Sequence, residues 1–406
     1  MLTVIKNLLC RFTEFNLRYC HWKSNLRLER SLSGKGDIDL IIHRTDGWKA
    51  IAILGEMRFK ESVILDNITF PSMQHFYGLD EQTGVIVHVH LYFEIITGES
   101  LLKNYRLPLA DMLFQHLRDW NGVMIPTKSA ELVIFVIRMM LKQAVLVEHA
   151  LVYLEYEEVL RELRWLLEED TVDGALALLE EYFPAVSPAL FKACLVALSD
   201  KREVLRRYLL GKRLQNTLAA YSRYPKLIAM ILNNYRFMKF LWRYRVLKLK
   251  NQGLASGGLA LSVVGPQQQL NDQIISELGT WLGANFAIRL VRGHEPLPGW
   301  ITTLAHVPAL EGLLGVILAA RLRWLSRRFA RQAINGVIVL RSEKRLAIAP
   351  PDDIISAPDI ILQVAELATH DGAYKRDSKV DIYFFNSAQP PQALTLQIKI
   401  LLWNIL

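Results

Sequence analysis

Cysteine is scarce, three in 406 residues. Cys10, Cys20 and Cys194 show no metal-ligand spacing and are too few for a disulfide framework. That excludes a zinc-ribbon or disulfide-stapled fold and points to a reducing cytosol. Long apolar runs are missing as well. Stretches such as GLLGVILAA (312–320) fall short of the ~18–20 residues a membrane span takes. The N-terminal MLTVIKNLLCRFTEFNLRY reads as an amphipathic helix and lacks the apolar region and cleavage site of a signal peptide, so a cytoplasmic protein is expected. There is no internal repeat and no low-complexity tract. No dense Lys/Arg block with interleaved aromatics marks a dedicated nucleic-acid groove.

What is present is ordinary in amount: 51% hydrophobic and 22% charged residues, with a net charge of +8. The length suggests two or three domains with ample core. The positive balance permits anionic partners such as nucleotides, nucleic acid or a membrane surface, without choosing among them. Residues 1–145 mix strand and helix. WKAIAILGEMRF (48–59) and SAELVIFVIRMMLKQAVL (129–146) read as helices, and VIVHVHLYFEI (85–95) as a clean alternating strand. Residues 146–252 are helical and charged, as in YEEVLRELRWLLEED (156–170). They end in the basic run WRYRVLKLKNQ (242–252), read as an exposed linker helix in preference to a nucleic-acid surface. Residues 253–406 begin anew with a Gly/Ser stretch. Their strands, LALSVV (259–264), GVIVL (336–340), DIILQV (359–364) and DIYFF (381–385), alternate with helices and predict a doubly wound parallel sheet. The class is therefore α/β: an α+β N-terminal domain, a helical connecting region and a doubly wound C-terminal domain.

Chemistry concentrates in SLSGKGDIDLIIH (31–43). On a strand, residues two apart share a face, so Asp37, Asp39, Ile41 and His43 point one way and Ile38, Leu40 and Ile42 the other. Two adjacent carboxylates repel, and burial worsens this. Such a pair persists when a cation lies between them or when water solvates both. In the absence of metal, removing one of the two charges is expected to stabilise the chain. Gly34 and Gly36 permit close approach of a ligand to the backbone. A phosphate–metal site and a plain Gly turn with solvated aspartates both remain open on spacing alone.

GKGDIDL resembles the signature of the nucleotidyltransferase fold shared by polymerase beta-like enzymes and small bacterial nucleotidyltransferases. The resemblance implies divalent metal, Mg or Mn, at Asp37 and Asp39, with a nucleoside triphosphate as substrate. It also implies a phosphate turn at Gly34, Lys35 and Gly36, and in-line attack of an acceptor on the α-phosphorus. CHWKSN (20–25) resembles an element of bacterial members and makes Lys23 a candidate phosphate contact; the plainer alternative is a surface lysine. The acceptor, whether protein, sugar or small molecule, does not follow. Self-association stays open. The family's third acid is absent from the centre of VIVHVHLYFEI, where His88 and His90 stand instead, with Glu94 further along the same face. Imidazoles two apart on a strand can share a metal and favour Mn or Zn over Mg. Two partly exposed histidines without a ligand are the alternative. TGESLLKNYRLP (97–108) reads as a loop over that edge, bringing Lys103 and Arg106 as candidate phosphate contacts.

GGLALSVVGPQQQLNDQII resembles the start of a thymidylate-kinase-like domain. There a phosphate loop needs a second glycine, a lysine and a hydroxyl. Gly265 and Pro266 match. Leu270, Asn271 and Asp272 stand where that glycine, lysine and hydroxyl belong, and Asn271 or Asp272 is expected to cap the following helix instead. GVIVLRSE (336–343) resembles the strand ending in Asp-Arg-Tyr, with Leu340 for the acid, Arg341 kept and Ser342 for the aromatic. The resemblance implies a pseudokinase. A nucleotidyltransferase carried with an inactive kinase-like domain is the leading reading. A non-catalytic, nucleotide-responsive or assembly protein is the alternative.

Overall fold

The computed structural model describes residues 1–64, 70, 72–167, 171–242, 252–292, 338–343, 359–365, 373–377, 380–386 and 389–406. The apolar stretch 312–320, the basic run from 243 to 251 and the helices expected within 293–337 and 344–358 lie outside these residues. The chain is a mixed α/β protein that divides into two compact units, residues 1–59 with 70–246, and residues 60–69 with 247–406.

In the first unit, α1 (Thr3–Glu14), β1 (Tyr19–His21), α2 (Leu28–Leu32), β2 (Ile38–Ile42) and α3 (Gly47–Glu56) come first. After β3 (Lys60–Ile64), which belongs to the other unit, come β4 (Met73–Asp80) and β5 (Val85–Tyr92). The strands lie in the order β1, β2, β5, β4; β2 and β5 are parallel and the outer pairs antiparallel. Alternation decides the faces. Ile38, Leu40, Ile42, Val87, Val89 and Leu91 are buried in one cluster with Ile5, Leu8 and Phe12 of α1 and Ile53 and Leu54 of α3. Cys20, Trp22, Ile41, Met73 and Tyr92 look the other way into a second core. The polar residues of 37–39, 75 and 88–90 share this second face.

That second core is centred on a helix. Two small ribbons, β6 (Ile95–Thr97) with β7 (Tyr105–Leu107) and β8 (Leu117–Trp120) with β9 (Val123–Pro126), flank α4 (Ala110–Gln115) and lead to α5 (Lys128–Gln143). Thr127 caps α5 by accepting from the Ala130 amide, and α5 is buried on nearly every side, as its all-round apolar sequence requires. Helices α6 (Leu146–Leu154), α7 (Tyr156–Leu166), α8 (Thr171–Tyr182), α9 (Pro188–Ser199), α10 (Val204–Thr217) and α11 (Lys226–Leu241) follow. Tyr156, Leu163, Leu179, Phe191 and Leu214 of this series bury with Leu132, Phe135 and Ile137 of α5. The helices after residue 146 thus share one core with the N-terminal sheet.

In the second unit β3 pairs antiparallel with β10 (Gln252–Leu254), and the Ser62 hydroxyl donates to the Gly253 carbonyl at 2.9 Å. The main sheet takes β11 (Ala260–Val264), β12 (Ile288–Arg292), β13 (Ile338–Glu343), β14 (Ile360–Ala365), β15 (Ala373–Asp377) and β16 (Val380–Asn386) in the order β12, β13, β11, β14, β16, β15. All neighbours run parallel except β15 against β16. Helices α12 (Gln268–Gly283) and α13 (Pro391–Ile405) are tied by the Thr395 hydroxyl donating to Glu277 at 2.8 Å. The chain leaves β11 between β13 and β14, the switch point where open α/β sheets place ligands.

Candidate active site

Strand register assembles the first site. Asp39 on β2 lies opposite His90 on β5, and His90 lies opposite His75 on β4. His88 lies opposite Tyr77 one row further back. Asp37, two residues before Asp39, reaches that row: His88 Nδ1 donates to Asp37 Oδ1 at 2.8 Å, as His90 Nδ1 does to Asp39 Oδ1 at 3.0 Å. The His75 and His88 rings meet through their nitrogens, Nδ1 to Nε2, at 3.1 Å. Tyr77 stacks on His88 at 4.2 Å between centroids and fixes the plane of that imidazole. One nitrogen of each of the three rings lies within 4.8 Å of the others.

Lys23 Nζ is 2.9 Å from Asp39 Oδ1 and donates to the Tyr92 hydroxyl at 3.1 Å. The two aspartates therefore do not face each other uncompensated. Burial would raise the Asp39 carboxyl, but the Lys23 charge and the His90 hydrogen bond take it well below the ordinary value. At Asp37, half exposed, burial acts the same way and is overridden by the His88 hydrogen bond and the neighbouring imidazoles, so this carboxyl too is lowered. Burial lowers His88, partly offset by Asp37, and takes His75 down to about 2 with the help of His90 and His88. Contrary to the expectation from two uncompensated carboxylates, removing one aspartate charge therefore relieves no bare repulsion here. Each carboxylate is held by a cation or an imidazole N–H, and losing it leaves Lys23 or a histidine without its partner.

Cations gather beside the acids. The Lys23 and Lys103 ammonium groups both lie over the Tyr92 ring, at 5.0 and 5.9 Å. Lys103 also lies 5.3 Å from the Phe70 ring centre. Burial, then the Lys23 charge, lowers Lys103 to about 7. Arg138 and Lys142, one turn apart on α5, add to this field and act on Lys103 too. Arg138 Nη2 reaches the Ser24 hydroxyl at 3.4 Å and Glu162 at 3.5 Å. Four basic side chains, Lys23, Lys103, Arg138 and Lys142, thus act on one another beside the acids and imidazoles.

Other expected residues stand elsewhere. Strand β5 stops at Tyr92, so Glu94 leaves the histidine face. It is bound by Arg44, by Arg106 Nε at 2.9 Å and by the Ser72 hydroxyl at 2.6 Å, which engages Arg106 away from any phosphate role. Lys35 is exposed, and its carbonyl accepts from Arg30 Nε at 3.1 Å. Gly34 has φ +76°, and a Cβ there would lie 2.6 Å from Val85 and 2.9 Å from Leu2, so this glycine serves the packing of the turn. At Gly36 a Cβ would meet the Ser31 hydroxyl at 3.1 Å.

In the second unit Gly265 follows β11 at its carboxyl end. Asn271 is fully buried, and its Nδ2 donates to the Gly265 carbonyl at 2.9 Å. A Cβ on Gly265 would lie 2.6 Å from the Val364 carbonyl. Helix α12 starts at Gln268 after Gln267, with no side-chain cap, so neither Asn271 nor Asp272 caps it; both lie in its first turns. Asp272 is exposed and Leu270 half-buried. Leu340 is buried in mid-sheet, opposite Leu261 on one side and Leu290 on the other. The side chains of Arg341 and Ser342 lie outside the described residues.

Three site residues escaped the sequence reading. His75 sits in MQHFYGLD (73–80), whose alternation of His75, Tyr77 and Leu79 against Phe76 was a usable strand signal. Arg138 and Lys142 are hidden in an apolar core helix, where only their spacing of four hints at a shared face. Among the described residues no helix is long and apolar enough to cross a membrane. No protein-family model matches the chain, and no curated protein matches its sequence.

Proposed function

We infer that the N-terminal unit is a metal-dependent nucleotidyltransferase, which moves a nucleoside monophosphate from a nucleoside triphosphate to an acceptor hydroxyl. The observation that carries this reading is a paired-acid strand start beside four cations: Asp37 and Asp39 with His88 and His90 on one side, Lys23, Lys103, Arg138 and Lys142 on the other. The residues fit a divalent ion, because both carboxyls are lowered and His88, lowered by burial, offers a neutral nitrogen donor. An ion held there would draw charge from the phosphates. The chain's own cations bind the polyphosphate: Lys23 and Lys103 from one side, Arg138 and Lys142 from α5. Holding the α-phosphorus in line with the acceptor lowers the cost of bringing the two together. The acceptor oxygen bonds to the α-phosphorus, the bond to the bridging oxygen breaks, pyrophosphate leaves with that electron pair, and the acceptor proton passes to water on the exposed side of Asp37.

The second unit is read as a kinase-like fold without kinase chemistry. Central β11, parallel neighbours and a glycine at its carboxyl end support the fold. A buried Asn271 bonded to Gly265, in the place of a charged lysine, supports the loss. The test uses triphosphates labelled at the α or the γ position, with the full chain and a panel of protein, sugar and small-molecule hydroxyl acceptors. Transfer of α-label and not γ-label is expected. Transfer of γ-label would establish a working kinase, and transfer of neither would favour a nucleotide-responsive or assembly role.

A further inference from the structure

The hydrogen bonds of the site fix where its protons are. A carboxylate can only accept, so His88 and His90 each donate from Nδ1, to Asp37 and Asp39. In neutral His88 that leaves a lone pair on Nε2, while His90 Nε2 lies 4.0 Å from Asp37 Oδ2. The His75 Nδ1 contact with His88 Nε2 uses that lone pair, so His75 donates, leaving its own Nε2 with a lone pair. That atom is buried and has no hydrogen-bond partner among the described residues. Three imidazoles therefore crowd into one small space. Two are oriented by carboxylates and one keeps an unused buried nitrogen. Three imidazoles whose nitrogens converge, one of them with a buried nitrogen that has no partner among the described residues, are the donor set of a metal ion.

The carboxylate–imidazole arrangement is how proteins hold a metal-binding histidine in the right tautomer and raise its basicity. Tyr77 stacked on His88 restrains the ring further. A zinc ion with nitrogen ligands at ~2.0–2.1 Å brings those nitrogens ~3.3 Å apart, and three protein ligands leave a fourth position open. The nitrogens already lie within 4.8 Å of one another, so small ring movements close the site. Magnesium prefers oxygen and water, whereas imidazole suits zinc, copper, iron and nickel.

We propose that His75, His88 and His90 form a three-histidine site for a zinc-class transition metal, with Asp37 and Asp39 orienting the imidazoles instead of ligating the ion. This deepens the nucleotidyl-transfer reading by naming the metal, and rests on that reading only for the use the metal serves. His75, on a strand the acids do not touch, becomes the third ligand. Asp37 and Asp39 become positioning residues whose loss weakens the ion's hold without removing a bond to it.

The test strips the full-length protein with chelator and adds Co²⁺, Zn²⁺ or Mg²⁺ alone. Bound metal is counted after desalting, and the visible spectrum of the cobalt form is recorded. A single tightly held Co²⁺ with an intense low-symmetry visible band is expected, displaced by equimolar Zn²⁺ and not by excess Mg²⁺. His75→Gln and His88→Asn should each lower Co²⁺ affinity at least ~100-fold, and Asp39→Asn ~10–100-fold. Far-UV circular dichroism checks each variant's fold, and if both histidine variants unfold, the wild-type spectrum decides alone. Absence of a tetrahedral-type band, or affinity unchanged in a folded His75→Gln, overturns the proposal. Metal held as described without α-label transfer sinks the nucleotidyl-transfer reading alone. Transfer supported by Mg²⁺ in a protein that holds no transition metal sinks the metal assignment alone.

Discussion

The corner formed by β2, β5 and β4 and the loop after β11 both place polar groups at a strand end, and they satisfy them differently. At the corner, side chains from three strands and the 23–25 turn bond to one another across long sequence distances, Asp37 to His88 and Asp39 to Lys23 and His90. Like groups remain crowded there, cation beside cation and imidazole beside imidazole. At the loop, Asn271 turns back six residues to the Gly265 carbonyl. The glycine lies so near the Val364 carbonyl that even a methyl group would not fit. Concentrated like charge is costly without a ligand and persists where one is bound. A loop that bonds locally has no such cost.

The largest expected effect follows from that contrast. Asp39→Asn should lower α-label transfer by ~100-fold or more, because the His90 imidazole and Lys23 both lose the charge that positions them. It should also destabilise the fold by ~1–3 kcal/mol, since a hydrogen-bonded charge partner is removed. Asp272→Asn, on the exposed first turns of α12, should change neither quantity. Equal losses of transfer from the two variants would erase the distinction between corner and loop.

Next in size is the polyphosphate contact. Lys103→Met should weaken inorganic triphosphate binding ~10–100-fold by calorimetry, the worth of one charge-assisted contact. Burial and the Lys23 charge hold Lys103 at about 7 in the free protein, so at pH 8 it is mostly neutral. An arriving polyanion favours the charged form. Binding at pH 8 should therefore take up a proton, detectable as heat that changes with the buffer's ionisation enthalpy, and Lys103→Met should abolish the uptake. Binding without proton exchange in the wild type would place the phosphates away from Lys103.

These two regions also differ in how far they could be read from the chain. The Asp37/Asp39 face, the alternating β5 and its His88 and His90 are local patterns, visible because a strand has period two. The expected loss of a phosphate loop after β11 rests on a local pattern as well, since Leu270, Asn271 and Asp272 stand where the resembled kinase-like domains carry other residue types. His75 depends on the pairing of β4 with β5, and register between strands is set by the packed sheet. Arg138 and Lys142 depend on which way α5 turns inside its core. Running β5 on past its end at Tyr92 puts Glu94 on the histidine face, and reading 97–108 as a loop over that edge brings Arg106 there; in the structure the two bond to each other. The face was legible; the partners across strands and helices were not.

A smaller effect is expected at the loop. Asn271→Ala removes the donor to the Gly265 carbonyl inside the second unit and should cost ~1–2 kcal/mol in denaturant unfolding. It should leave α-label transfer unchanged. Combining Leu270→Gly, Asn271→Lys and Asp272→Ser should not produce γ-label transfer, because on the kinase-like reading the buried Leu340 stands where an acid is needed. These variants are made in the full chain, since a fragment starting at residue 253 would lack β3 and part of β10. γ-transfer by the rebuilt loop would mean that the loop alone had been inactivated.

The smallest effect tests what supports the corner from behind. Asn25 donates from its amide and from Nδ2 to Glu131 on α5, at 3.0 and 2.8 Å, and its Oδ1 meets His21 Nδ1 at 2.7 Å. This buried knot anchors the turn that carries Lys23 and Ser24. Burial raises the Glu131 carboxyl from 4.5 to about 7, against the two hydrogen bonds from Asn25. The folded state thus holds this proton more tightly than the unfolded chain does. Its contribution to stability is complete below pH 4.5 and is lost as the pH rises from there to about 7. Glu131→Gln cannot ionise, so it should flatten the fall in stability across that window, measured by denaturant unfolding at half-unit steps. The corner's acids have depressed carboxyls and contribute in the opposite sense, losing stability only at lower pH. A Glu131→Gln profile that still fell between pH 4.5 and 7 would assign the slope to another group and detach the knot from the site it supports.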